Sequence, residues 1–140
     1  MIELAKKALV DGGYSCVVVK DNKVLHAVMG EGIHPIIKLY NEHPEDMKDA
    51  YVADKIIGRA AAIVYILAGI KEIYCHVISE PGIEILEKHG IAHSQFRTVP
   101  RIDNRTKTDM CPMEKASFAS ENVEEAYKSI LSFIESVRKK

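Results

Sequence analysis

Tyr51-Val-Ala-Asp54-Lys55-Ile-Ile-Gly58-Arg59-Ala60-Ala-Ala-Ile-Val-Tyr65-Ile-Leu-Ala68-Gly69-Ile70 is the stretch on which the fold of this chain turns. From Ala60 to Ala68 it carries no charge, and nearly every residue forms helix readily or is tolerated in a buried one. The stretch therefore reads as one central helix ending at Gly69. A helix that is apolar all round must be covered on most sides, so other elements should pack around it. Its first turn, with Asp54, Lys55 and Arg59, is polar. There the free N–H groups and the positive dipole end can act on an anion or a polar ligand. Gly58 inside a helix costs up to ~1 kcal/mol relative to Ala, which points to close approach by another backbone or by a ligand.

Outward from this helix the chain alternates between helical and strand patterns. Residues 2–10 place Ile2, Ala5 and Leu9 on one helical face, and Asp11-Gly12-Gly13 ends that helix. Tyr14 to Lys20 and Lys23 to Met29 read as a β-hairpin turning at Asp21-Asn22. A helix fits from Pro35 to about Glu42, and His43-Pro44-Glu45-Asp46 breaks it. After the central helix, Lys71 to Ser79 has apolar residues on both faces and reads as an interior strand. A short helix runs from Glu80-Pro81-Gly82 to about His89, and a weaker strand covers Ile91 to Val99. Residues 100–110 form the longest polar connection, of the kind that often carries function. Cys111-Pro112-Met113-Glu114 reads as a helix start, and a final helix from about Glu121 spaces Val123, Ala126, Tyr127, Ile130, Leu131, Ile134 and Val137 on one face.

Composition narrows the class. A chain of 140 residues with 47% apolar and 28% charged residues is expected to form one globular domain over its whole length, with a substantial buried core. A net charge of −1 gives no general signal for nucleic acid. The longest apolar run, the nine residues from Ala60, falls far short of the ~20 that span a bilayer. The N-terminus lacks an apolar signal core, and the three cysteines, Cys16, Cys75 and Cys111, are odd in number and widely spaced. A reducing cytoplasm is the expected compartment.

Two consecutive βα units after the hairpin put helices on both faces of one mixed sheet of about four or five strands, a three-layer α/β/α architecture. The element order, together with the motifs Asp54-Lys-Ile-Ile-Gly-Arg-Ala-Ala-Ala62 and Asp109-Met-Cys-Pro-Met-Glu114, resembles a small prokaryotic family described only as a domain of unknown function. The resemblance covers nearly the whole chain and implies a cytidine-deaminase-like fold without implying a reaction. Zinc deaminases place His/Cys-x-Glu at the start of the central helix and Pro-Cys-x-x-Cys at the start of the helix after the next strand. Here those stretches read Asp54-Lys55-Ile56 and Pro81-Gly82-Ile83-Glu84-Ile85. Both thiolates and the proton-shuttling Glu are missing, so neither zinc deamination nor a bound metal or other cofactor is expected.

The candidate site is the mouth of the central helix, with Cys111 and Asp54 as candidate catalytic groups and Lys55, Arg59, Asn104, Arg105, Asp109 and Glu114 as ligand-binding groups. Lys55 and Arg59, four apart on a helix, would share a face suited to an anion. Asp54 could equally be a plain helix cap. Cys111, at a helix start beside Pro112, has a position that favours thiolate, whereas Cys16 and Cys75 read as inert core residues. The six histidines, at 26, 34, 43, 76, 89 and 93, show no metal-ligand spacing such as His-x-x-x-His. Two functions follow: binding a small nucleotide-like or anionic metabolite at the helix mouth, with or without cysteine chemistry, or a non-catalytic regulatory or assembly module. A homo-oligomer stays open under either.

Overall fold

Tyr51-Val-Ala-Asp-Lys-Ile-Ile57, with β-branched or aromatic residues at 51, 52, 56 and 57, forms a strand, and Gly58 separates it from a shorter helix. In the computed structural model, which describes residues 2–30, 32–102 and 111–138, the elements are α1 (Ile2–Gly12), β1 (Cys16–Lys20), β2 (Lys23–Val28), α2 (His34–Glu42) and α3 (Pro44–Met47). There follow β3 (Tyr51–Ile57), α4 (Arg59–Ala68), β4 (Glu72–Ser79), α5 (Glu80–Lys88), β5 (Ala92–Val99), α6 (Pro112–Ser117) and α7 (Val123–Arg138). The central helix expected over 51–70 is thus a strand and a helix of ten residues. The short α3, where a break was expected, is a second correction.

The reason lies in the sheet. Its five strands run in the order β2-β1-β3-β4-β5, so β3 is the middle strand. It pairs antiparallel with β1 and parallel with β4, and β4 pairs parallel with β5. A middle strand is covered on both faces and therefore reads as a nearly continuous apolar run, which periodicity alone does not separate from a buried helix. Val52 packs into the larger core with Val18, Ile73 and the residues of α4. Its neighbour Ala53 packs on the opposite face with Val17, Tyr74, Ala5 and Leu9. Such alternation between faces is the period of a strand.

Helices lie on both faces, giving three layers. α1 covers one face, against β1, β3 and β4. On the other, α4 is the centre, packed against α2, α5, α6 and α7, with Ala62, Ile63, Val64 and Tyr65 fully buried. The hairpin turn is as expected: Asp21 and Asn22 take φ of +53° and +60°, the left-handed pair that a two-residue connection needs to match strand twist. Gly69 closes α4 at φ +75°, its N–H bonding back to the carbonyls of Tyr65 and Ile66. No helix among the described residues is long and apolar enough to cross a membrane.

Candidate functional site

The boundary at Gly58 redistributes the expected site residues. Asp54 is not in a helical first turn; it sits midway along β3, in register with Cys16 on β1 and Cys75 on β4. All three side chains are buried beneath α4, whose Tyr65 hydroxyl donates to Asp54 Oδ2 at 2.5 Å and lies 3.0 Å from Cys16 Sγ. The Ile56 amide also donates to Asp54, at 3.2 Å. Burial pushes the Asp54 carboxyl up to about 7, the Tyr65 hydroxyl and the backbone amides offsetting part of that rise. Burial likewise raises the Cys16 and Cys75 thiols, with Asp54 adding to both. This is a satisfied polar group at the centre of the core, flanked by two buried free thiols.

Lys55 is exposed on the α1 side, where it lines a pocket of about 220 Å³ with Leu9, Val10, Gly13, Tyr14 and His76. Lys55 and Arg59 therefore do not share a face, because the chain between them is strand up to Ile57.

Arg59 does begin α4, and here the site takes shape. Gly58 is the N-cap and has no side chain to offer. The free amides are taken by Glu114 from α6: Arg59 N donates to Oε2 and Ala60 N to Oε1, both at 2.8 Å. A Cβ at position 58 would run into that carboxylate, which gives Gly58 its physical reason. Burial raises the Glu114 carboxyl, while the two amides and the Arg59 charge pull it back. The guanidinium of Arg59 lies 4.9 Å from the Phe118 ring centroid, and its Nη2 donates to the Ser120 carbonyl at 3.1 Å. Arg59 is 5% exposed, and its Nη1 has no hydrogen-bond partner among the described residues.

Cys111 stands at the start of α6, half-buried, its N–H donating to the Ile102 carbonyl at 2.9 Å. It is the N-cap residue of α6, though its side chain makes no capping hydrogen bond. Asn104, Arg105 and Asp109 lie outside the described residues. Beside the α4 start, Ser79 caps α5 by accepting from the Gly82 amide at 3.1 Å. A Cβ on Gly82 would come within 3.3 Å of the Gly58 backbone. The two helix starts thus meet through Gly58 and Gly82, with neither thiol nor imidazole among Gly58, Arg59, Ala60, Ser79, Glu80, Pro81 and Gly82. That donor set does not fit the zinc of a deaminase. Sequence reasoning missed the Glu114 contact, which joins positions far apart in the chain. The signal nearest to it was Gly58.

The model of a family described as a domain of unknown function, DUF1893 (TM1506), matches residues 4–134. Among solved structures, a DUF1893 family protein (TM1506) from Thermotoga maritima is similar at a TM-score of 0.84, with 23% identity, over 94% of this chain and 88% of that one. At that identity the likeness speaks for a shared fold. No curated protein matches the chain. With the family model matching residues 4–134, the chain belongs to the DUF1893 family, a domain of unknown function.

Proposed function

We propose that this chain binds a small anionic, nucleotide-like metabolite beside the start of α4, on a cytidine-deaminase-like fold without zinc deamination. The observation that carries the reading is the Arg59 guanidinium, buried with Nη1 unpartnered among the described residues. A donor without an acceptor in a buried setting costs ~1–3 kcal/mol, and a ligand oxygen would relieve that cost. Glu114 already holds the α4 amides, so the ligand's acid is received by Arg59, and Glu114 fixes that arginine's backbone. The site lies where ligands of open α/β sheets gather, at the C-terminal ends of the parallel strands β3 and β4. What supports the deaminase-like comparison is the hairpin followed by two βα units, β3–α4 and β4–α5, on one sheet. Cys111, half-buried at the start of α6 on the same side, is the candidate for any covalent step; Asp54, enclosed in the core, has no access to a ligand.

Calorimetric titration with nucleoside monophosphates and with small dicarboxylates tests the reading. One class should bind, Arg59→Lys should weaken it by about tenfold or more with the circular dichroism spectrum unchanged, and bound ligand should slow Cys111 alkylation. Binding unaffected by Arg59→Lys, or no binding by either class, would overturn it.

An assembly module is supported by one separate observation. Ile56 is 51% and Phe96 73% exposed on the face that α1 only partly covers, and Phe96 stacks on His76 at 5.0 Å between ring centroids.

A further inference from the structure

His26, His43 and Asp46 come from two elements that the sequence does not link. His26 lies on β2, whereas His43 and Asp46 stand three apart at the start and in the third position of α3. His26 Nε2 is 2.9 Å from Asp46 Oδ2, and His43 Nδ1 is 3.9 Å from the same oxygen. One donor atom from each residue lies within 4.8 Å of the others, and the imidazole rings are 4.8 Å apart between centroids. We propose that these three side chains form a binding site for a divalent transition metal of the zinc type, opening on the cleft between β2 and α2.

The geometry is near what such an ion requires. Four ligands at ~2.0–2.1 Å in a tetrahedron stand about 3.3 Å from one another. The His26–Asp46 pair must open slightly, and the His43 donor must close by up to about 1.5 Å, a movement within reach of side-chain rotation. The ligand types are imidazole and carboxylate, which suit zinc and its neighbours better than calcium or magnesium. The supporting backbone is fixed. Pro44 opens α3, the Asp46 amide donates to the His43 carbonyl, and the Lys48 amide donates to the Pro44 carbonyl. Lys20 Nζ on β1 donates to the Glu45 carbonyl at 3.0 Å, tying α3 to the hairpin that carries His26.

Three ligands among the described residues would leave a coordination position open, as catalytic rather than structural sites do. Both imidazoles line a cleft of about 530 Å³, together with His34, Pro35, Lys38 and Leu39. The cleft has room for a small ligand on the metal, with Lys38 to meet a negative group. The expectation of a metal-free chain rested on the missing thiolates near α4; this site is a different one, and its ligands escape any spacing rule because folding brings β2 to α3.

The test is equilibrium dialysis of the metal-free chain against Zn²⁺, read by elemental analysis. One zinc per chain is expected. His43→Ala and the near-isosteric Asp46→Asn should each weaken binding by at least ~10-fold, the size of loss that even supporting residues produce. Cys111→Ala should leave stoichiometry and affinity unchanged. Zinc should raise the melting temperature of the wild-type chain but not of His43→Ala, which also serves as the check that the variant folds. With Co²⁺, the spectrum should lack thiolate-to-metal charge transfer. No zinc retained, zinc lost only on Cys111→Ala, or affinity unchanged in both His43→Ala and Asp46→Asn would each overturn the proposal.

Discussion

At the scale of single residues, Asp54 carries an unusual consequence. Folding raises its carboxyl from an ordinary 3.8 to about 7, so between those values the folded chain keeps a proton that the unfolded chain has lost. Stability from this group is therefore complete below about pH 4 and is lost as pH rises to about 7, the reverse of a salt-bridged carboxylate. At ~1.4 kcal/mol per pH unit the loss is about 4 kcal/mol. Asp54→Asn, which keeps an acceptor for the Tyr65 hydroxyl, should remove that slope. Urea midpoints at several pH values from 4 to 8 check this: wild type and variant should diverge across the window, and parallel curves would show that Asp54 does not titrate there. Gly58 and Glu114 form a second residue-scale pair. Gly58→Ala should destabilise by ~1–3 kcal/mol, because the new methyl displaces the carboxylate. Glu114→Ala should cost ~2–4 kcal/mol, because two buried amides lose their acceptor. Their double variant should cost much less than the sum, since both act on one contact; additive losses in denaturant unfolding would break the link.

Among the elements, β3 and α4 decide the architecture. β3 is hydrogen-bonded on both sides, to β1 and β4, and α4 is buried along nearly its whole length. Their amides should be the last to exchange with deuterium, well after those of β5, most of whose residues are exposed at the sheet edge. Exchange in Val52–Asp54 as fast as in Ser94–Arg97 would mean that β3 is not the middle strand. The same comparison explains the misplaced boundary. Tyr51, Val52, Ile56 and Ile57 are β-formers before Gly58, and Ala60, Ala61 and Ala62 are helix-formers after it. That contrast was legible, but the apolar residues on both faces of β3 ran on into those of α4 with only Asp54, Lys55, Gly58 and Arg59 between, and a strand covered on both faces loses its polar alternation.

For the molecule as a whole, the sheet has β2 and β5 at its edges, and Phe96 stands exposed on β5. If that face joins copies of the chain, Phe96→Ser should shift the mass measured by light scattering toward the monomer without changing the melting temperature by more than a degree or two. A wild-type chain that is monomeric at high concentration would retire the assembly reading. The hairpin turn at Asp21-Asn22, the end of the central helix at Gly69, the strand at 72–79 and the amphipathic final helix were all set by local chemistry: turn conformation, an achiral glycine, and periodic burial. Three-layer α/β/α architecture followed from the order of those elements. The neighbours of β3, the pairing of Glu114 with the α4 amides, the burial of Asp54 under Tyr65, and the meeting of His26 with His43 and Asp46 were decided only by the tertiary structure. Each joins residues distant in the chain, and no local pattern records such a contact, because its free energy appears only once the sheet and the helices on it have closed around the same space.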